Sequence, residues 1–187
     1  SELAYLAHPV TAPLFLHKIS RRQVRQYKRR ERISLGAGDV IVCVDESGST
    51  EFDDKDAWAK AIAYALVDKV GSQGRCASVI HFSSASEVSE DLFIPGQYTS
   101  EDVMNSARHF YCGGTNYEAP LRKAVSTLDS GVLSKADIVF ITDGQCSISS
   151  VFQDWLCAKL SEHHASITGV LLDSGNNFEF SLKGFCK

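Results

Sequence analysis

Residues 39–50 read Asp-Val-Ile-Val-Cys-Val-Asp-Glu-Ser-Gly-Ser-Thr. The first half is a β-branched apolar run, which predicts a strand buried on both faces, as in a parallel sheet. The run ends at Asp45 and passes directly into a loop of acidic, hydroxyl and glycine residues. In open α/β sheets, ligands bind beyond the carboxyl ends of the strands, so this polar loop is a candidate ligand site.

Apolar strands and helices continue to alternate downstream of this stretch. Further strands are predicted at 76–82, 86–93, 136–142 and 166–172. Helices are predicted at 55–70, 100–110, 117–128 and 149–163. The second of these strands is more polar than the others and is expected at an edge. The alternation predicts an α/β domain with a doubly wound, mostly parallel sheet flanked by helices.

The predicted helix at 55–70 is rich in alanine and carries a stripe of larger apolar residues. Trp58, Ile62, Leu66 and Val70 recur at helical spacing, which is typical of a helix that packs on a core. We expect Trp58 and Trp155 to be core anchors rather than ligand platforms.

The first 35 residues do not follow the alternation. Eight Lys and Arg residues stand against one Glu between residues 11 and 32, although the whole chain has a net charge of −4. We predict a basic helical arm or linker at 1–35 and one α/β domain at 36–187. Because the chain starts at Ser1 and its only methionine is Met104, we expect it to be a piece of a longer protein.

Several classes of protein are disfavoured by the sequence. No apolar stretch approaches the ~20 residues that cross a bilayer, and no signal peptide is recognisable. The six cysteines show no CxxC spacing, so zinc-finger and redox motifs are unsupported. A reducing, cytoplasmic setting is the expectation. Nucleic-acid or membrane contact through residues 18–32 is an alternative, but a solvated helix face explains such a charge run more simply.

Three loops after predicted strands and turns are rich in oxygen donors. They contain Asp45-Glu-Ser47-Gly-Ser49, Gly-Gly-Thr115-Asn and Thr-Asp143-Gly. Mg²⁺ prefers octahedral oxygen ligands and is commonly held by one or two carboxylates together with waters. The three loops therefore predict a site for Mg²⁺, or for Mn²⁺ or Ca²⁺.

The three motifs, in this order and context, resemble the metal-ion-dependent adhesion site of von Willebrand factor A (VWA) domains. The resemblance covers about residues 38–175 and implies a VWA fold. It implies that Ser47, Ser49 and Thr115 contact the metal directly, and that Asp45 and Asp143 act directly or through water. Such a site would bind a carboxylate of a partner protein, with no small-molecule substrate and no catalysis.

The stretches VCVDESGS and CGGTNYEAPL, with the preceding arm, resemble bacterial ViaA-like and CoxE-like VWA proteins. That group works with MoxR-type AAA+ ATPases, which implies an adaptor role in the remodelling or maturation of a target protein. Thr50-Glu51-Phe52 stands where relatives often carry methionine and glycine, which leaves the metal residues intact but alters the rim.

Other interpretations of the same residues stay open at this point. Asp45 and Asp143 are also suited to satisfy backbone N–H groups at helix starts, and Thr115 to cap the helix that begins near Tyr117, with Glu118 as its capping partner. A Mg²⁺-dependent phosphoryl-transfer or hydrolytic enzyme is the functional alternative. Against it, residue 47 is serine rather than an acid, the loops contain no lysine, and no P-loop motif occurs.

Histidine and cysteine residues near these motifs are expected to be structural. His81 lies within an apolar strand, and His163 and His164 lie at a helix end, where histidine suits the helix dipole. Cys112 and Cys146 lie in the site loops but have no basic neighbour in sequence to lower their pKa.

Overall fold

The computed structural model describes residues 38–144, 146–172, 182, 185 and 186. The strands are β1 (Val40–Asp45), β2 (Ala77–Phe82), β3 (Val88–Phe93), β4 (Asp137–Thr142) and β5 (Ile167–Leu171). A 3-10 helix (Gly48–Asp54) precedes α1 (Lys55–Gly71), and the later helices are α2 (Ser100–Arg108), α3 (Glu118–Asp129) and α4 (Ser150–Glu162). The predicted arm at 1–35 lies outside the described residues. No helix in the described part of the chain is long and apolar enough to cross a membrane.

The five strands form one sheet in the order β3-β2-β1-β4-β5. β1 pairs in parallel with β2 and β4, β4 pairs in parallel with β5, and only β3 runs antiparallel, against β2. The prediction of a mostly parallel α/β sheet is confirmed, and so is the placement of the polar strand β3 at an edge of it. The chain leaves β1 toward β2 and later returns to β4 on the opposite side, so the strand order reverses at β1.

β1 is the centre of the core because every one of its residues is buried. Ile41 and Cys43 point into a cluster that includes residues of α3 and α4. Val40, Val42 and Val44 point into a second cluster, on the face covered by α1. Successive residues of a strand face opposite sides of the sheet, so an unbroken apolar run is what a centre strand between two helical layers requires.

The expectation that Trp58 anchors the core is wrong. Its side chain is 65% exposed, and the buried residues of α1 are Ala59, Ala63, Val67 and Val70. The two alanines lie in the cluster formed with β1, and their short side chains let the helix approach the sheet closely. The alanine face of α1 therefore packs on the sheet, and Trp58 faces solvent. Trp155, by contrast, is partly buried and packs against the other core cluster.

Candidate metal site at the carboxyl end of the sheet

The predicted site loops meet at the carboxyl ends of β1 and β4, where the strand order reverses. This is the position at which open α/β sheets bind ligands. β1 and β4 are paired in register from Val40 with Asp137 to Val44 with Ile141. The residues that follow each strand, in the first and third loops, are thereby brought to the same edge.

Asp45, the last residue of β1, is 1% exposed. Its Oδ1 accepts a hydrogen bond from the Ser47 amide (3.0 Å), and its Oδ2 accepts one from the Thr142 hydroxyl (2.5 Å). Burial raises the pKa of Asp45 to about 6, and the Asp143 carboxylate also raises it, whereas the hydrogen bonds from Thr142 and Ser47 lower it. A carboxylate that is this short of solvation is one that a bound cation would stabilise.

Ser47 and Ser49 place two hydroxyl oxygens side by side beyond Asp45. The two Oγ atoms are 3.1 Å apart. Adjacent oxygen ligands of octahedral Mg²⁺, each about 2.0–2.1 Å from the ion, are themselves separated by about 2.9 Å. The spacing of the two hydroxyls therefore fits neighbouring positions around one such ion.

The second loop is joined to the first through the backbone. The Cys112 amide donates to the Glu46 carbonyl (3.0 Å), and the Gly48 amide donates to the Gly113 carbonyl (2.9 Å). Ser47 and Gly113 form a short parallel bridge. These bonds hold the loop that contains Thr115 beside the loop that contains Ser47 and Ser49.

The third loop adds a second buried carboxylate. Asp143 follows β4 and is 2% exposed. Lys55, at the start of α1, brings its Nζ to 3.8 Å from Asp143 Oδ2. Gly144 has a φ of 87°, a value that favours glycine, and its amide donates to Thr142 Oγ1 (3.1 Å). The turn after β4 is thereby held by the Thr142 hydroxyl, which also donates a hydrogen bond to Asp45.

The structure thus brings the loops of all five predicted site residues to one edge of the sheet. Asp45, Ser47 and Ser49 are linked directly, the Asp143 charge acts on Asp45, and the loop of Thr115 is bonded to that of Ser47. The donor set combines hydroxyls with two carboxylates, which are hard oxygen ligands suited to a divalent cation. The residues present fit a metal ion, and their roles as ligands remain a prediction.

Two polar residues behind the site were not among the predicted site residues. Thr142 donates to Asp45, and Tyr117, which is fully buried, has its hydroxyl 2.8 Å from Thr142 Oγ1. The chain Tyr117–Thr142–Asp45 orients the carboxylate from below. In the sequence, only the hydroxyl of Thr142 at the end of β4 indicated such a support for Asp45, because Tyr117 resembles an ordinary core residue.

The alternative roles considered for the loop residues are partly answered. Asn116, rather than Thr115, accepts from the backbone at the start of α3, through the Ala119 amide (2.9 Å). Glu118 accepts instead from the hydroxyl of Ser149, the N-cap of α4 (2.7 Å). Thr115 is therefore not needed as a cap.

Cys112 is a poor candidate for thiolate chemistry. Loss of solvation raises the pKa of its thiol, and the nearby Glu51 carboxylate raises it further. A raised pKa lowers the fraction of thiolate, which is the form that binds soft metals and reacts.

Metal affinity is expected to fall in acid because Asp45 must lose its proton to bind a cation. With a pKa of about 6 in the metal-free chain, Asp45 is ionised at pH 7 and above and is protonated below pH 6. The apparent affinity for Mg²⁺ should be level above pH 7 and should fall by roughly tenfold for each pH unit below 6. Two titratable groups act on Asp45: the Asp143 carboxylate, and Tyr117, whose hydroxyl contacts Thr142. Lys55 lies beside Asp143.

Titration calorimetry between pH 5 and pH 8 measures this dependence. Asp45→Asn is the control. Its Mg²⁺ affinity is expected to be weak but to show no steep decrease below pH 6. An affinity that is unchanged between pH 7 and pH 5 in the unsubstituted chain would contradict the prediction.

Comparison with known proteins places the fold and the loops in a family. The chain is 32% identical over 153 residues to an uncharacterized protein, MJ0077, of Methanocaldococcus jannaschii, with 81% of this chain and 37% of that protein covered. This chain therefore spans well under half the length of that relative.

Solved structures show the same fold. Proximal thread matrix protein 1 from the mussel byssus superposes with a TM-score of 0.60, at 22% identity, over 80% of this chain and 41% of that one. A second structure of the mussel protein, with a zinc-occupied metal-ion-dependent adhesion motif, gives a TM-score of 0.53 at 23% identity over 70% of this chain and 37% of that one.

The family model described as the von Willebrand factor type A domain matches residues 40–145. The matched range begins at β1 and ends just beyond Asp143, so it contains the whole central part of the sheet and all three site loops. On this match, which covers more than half of its length, the chain belongs to the von Willebrand factor type A domain family.

Proposed function

We propose that this chain is a non-catalytic binding module that uses Mg²⁺ to hold a carboxylate of a partner protein. The observation that carries the proposal is the meeting of two buried carboxylates, Asp45 and Asp143, with the paired hydroxyls of Ser47 and Ser49 at the switch point of the sheet. Ser47, Ser49 and Thr115 would bind the ion directly, and Asp45 and Asp143 directly or through water. Membership of the VWA family supports this assignment.

The donor set explains why the partner group would be a carboxylate. Hydroxyl ligands are neutral, so when Asp45 and Asp143 act through water the protein oxygens bound directly to the ion carry no charge. An acidic side chain from another protein would then supply a charged oxygen at the sixth position. The mussel protein carries zinc at its motif, whereas the all-oxygen donors here favour the harder Mg²⁺.

We further propose that a MoxR-type AAA+ ATPase is a partner and that the chain acts as an adaptor in the maturation of a target protein. The support is the resemblance of residues 42–49 and 112–121 to the ViaA-like and CoxE-like proteins. An adaptor needs a binding site and no nucleotide site of its own, which agrees with the lack of a P-loop motif in the sequence.

A phosphoryl-transfer enzyme is the alternative, and one observation favours it more than the sequence did. No lysine was expected near the site, but Lys55 reaches Asp143 from α1. Asp45 nevertheless suits a nucleophile poorly, because it is 1% exposed and both its oxygens accept hydrogen bonds. We therefore assign Lys55 to neutralising Asp143 while the metal is absent.

The cytoplasm is the compartment that we propose. All six cysteines are free thiols, and free thiols are usual in proteins of reducing compartments.

Partner binding tests the proposed function directly. The MoxR-type ATPase of the same genome would be immobilised, and binding of this chain measured with Mg²⁺ present. Ser49→Ala removes one metal-binding hydroxyl and is expected to weaken binding by at least tenfold. The matched control is Ser161→Ala, because Ser161 is exposed on α4 and its hydroxyl bonds only the Cys157 carbonyl of its own helix. Equal binding by all three proteins would contradict a metal-mediated contact.

A further inference from the structure

Glu46, His81 and His109 form a second polar cluster, beside but separate from the oxygen site. Their ligand atoms all lie within 4.8 Å of one another. Glu46 Oε1 is 2.7 Å from His81 Nδ1, and Glu46 Oε2 is 2.8 Å from His109 Nδ1. Glu46 and His81 are fully buried, whereas the His109 side chain is 36% exposed. Neither sequence motif nor spacing indicated this grouping.

The hydrogen bonds around His81 determine which of its nitrogens carries a proton. Ser106 Oγ donates its single hydrogen to Asp91 Oδ2 (2.5 Å) and accepts from the Tyr64 hydroxyl (2.7 Å). Burial raises the pKa of Tyr64, so the phenol keeps its proton. At the 3.0 Å contact between Ser106 Oγ and His81 Nε2, the hydrogen must therefore come from the histidine.

This assignment leaves His81 Nδ1 facing the Glu46 carboxyl group. With Nε2 as the donor to Ser106, Nδ1 lies 2.7 Å from Glu46 Oε1. A contact of that length between a nitrogen and an oxygen holds either a hydrogen shared by the pair or, in its place, a metal ion. The far nitrogen of a metal-ligating histidine usually donates to a carboxylate, a carbonyl or water. His81 Nε2 donates to the Ser106 hydroxyl, which donates in turn to the Asp91 carboxylate.

We propose that Glu46, His81 and His109 bind a transition-metal ion, with Zn²⁺ the ion whose ligand preferences fit best. Two imidazoles and one carboxylate are borderline donors that favour Zn²⁺ over Mg²⁺. This donor set differs from the all-oxygen set around Asp45, so the chain would carry two metal sites of different selectivity, joined by the peptide bond between Asp45 and Glu46.

Admission of the ion requires the side chains to move by about an ångström. Ligand atoms about 2.0–2.2 Å from tetrahedral zinc are about 3.4 Å apart. The two Glu46–histidine contacts, made through different oxygens, are 2.7 and 2.8 Å, and the three ligand atoms lie within 4.8 Å of one another. The backbone of Glu46 is fixed, since its amide donates to the Phe82 carbonyl (2.8 Å) and its carbonyl accepts from the Cys112 amide. His109, at the end of α2, is the ligand free to move outward. A groove of about 550 Å³, lined by Asp91, Ser106 and His109 among others, provides an approach.

Lys60 is the group that competes with the proposed metal. Its Nζ lies 3.6 Å from Glu46 Oε1 and donates to the His109 carbonyl. The ammonium neutralises Glu46 in the metal-free chain, and its charge repels an incoming cation. Lys60→Gln keeps a donor for the His109 carbonyl but removes the charge, so it is expected to tighten Zn²⁺ binding by roughly tenfold. A cluster built only as a salt bridge would not gain metal affinity from this change.

Zn²⁺ titration calorimetry on the full chain, with Mg²⁺ in excess, tests the site. His109→Ala is expected to weaken one Zn²⁺ equivalent by at least the roughly 100-fold that loss of even an outer-shell partner can cost. His163→Ala is the matched control, since His163 also contacts a carboxylate at 2.8 Å, that of Asp129, but on the surface. Asp45→Asn should retain this Zn²⁺ equivalent, which separates it from zinc at the oxygen site.

Three results would overturn the proposal. The first is a His109→Ala variant that binds Zn²⁺ as tightly as the unsubstituted chain. The second is an Asp45→Asn variant that no longer binds the Zn²⁺ ion that His109→Ala still binds. The third is no gain of affinity in Lys60→Gln, which would assign Glu46 to the lysine alone. Circular dichroism of each variant excludes unfolding as the cause of a lost site, and His109 is partly exposed, so its truncation should leave the fold intact.

Discussion

Asp45→Asn is expected to weaken Mg²⁺ binding by at least 100-fold and to leave the fold intact. Asparagine retains an oxygen for the Ser47 amide, so the local turn is kept, but the negative charge that would face the ion is lost. Removal of a charge-bearing oxygen ligand from a site with at most two carboxylates should reduce affinity more than loss of an outer-shell partner, which costs about 10–100-fold.

The same variant should not lose stability when metal is absent. The folded-state pKa of Asp45 is raised from 3.8 to about 6, so its ionisation opposes folding at neutral pH, and the metal-free chain gains stability as pH falls from 6 toward 4. That shift corresponds to a cost of the order of 3 kcal/mol at pH 7, which asparagine avoids. Asparagine also removes the acceptor of the Thr142 hydroxyl, which costs about 1–3 kcal/mol, so metal-free Asp45→Asn should melt close to the temperature of the unsubstituted chain.

Calorimetry with Mg²⁺ and thermal melts with and without Mg²⁺ make both measurements. Asp68→Asn, at an exposed position of α1, is the control and should keep the metal-dependent rise in melting temperature. Undiminished Mg²⁺ binding by Asp45→Asn would remove Asp45 from the site, and a large loss of stability in the metal-free variant would mean that the carboxylate is structural.

Phe140→Ala is expected to cost about 3–5 kcal/mol in the free energy of unfolding. Phe140 is fully buried on β4, and its ring stacks on Phe82 with centroids 5.1 Å apart. It also meets Tyr117 edge-on at 5.1 Å. Truncation leaves a cavity beneath Tyr117, whose hydroxyl supports Thr142 and through it Asp45, so metal affinity should fall as well.

Urea denaturation monitored by circular dichroism gives the free energy of unfolding. Val151→Ala is the comparison, since Val151 is 79% exposed on α4 and its truncation should change stability by less than about 0.5 kcal/mol. A loss below 1 kcal/mol for Phe140→Ala would show that the aromatic cluster is not a main support of the domain.

The order of strands and helices could be predicted from the sequence because local pattern determines it. β1, β4 and β5 were each expected within one residue of their observed bounds, since apolar runs between polar loops are a local property. The local sequence does not determine which face of α1 packs on the sheet. Trp58 and Ala59 are neighbours, and only the close approach of the helix to β1 selects the alanine stripe.

The loops of the oxygen site could be predicted from the sequence, but the second polar cluster could not. Asp45, Ser47 and Ser49 lie within five consecutive residues, so a short motif reveals them. Glu46, His81 and His109 come from three distant parts of the chain and meet only because β2 pairs with β1 and α2 ends beside them. No spacing rule joins such residues before the sheet is built, which is why His81 resembled a core histidine.

The central position of β1 has a mechanical consequence. The strand is paired with β2 along Val40–Asp45 and with β4 along Val40–Val44, in parallel on both sides. Tension between the site at one end of β1 and the preceding residues at its other end acts along the strand and loads both ladders in shear. All the backbone bonds then resist together instead of opening one after another, as they would if the strand were peeled. A pull on a ligand held at this edge would thus be passed lengthwise through a strand that is hydrogen-bonded on both sides.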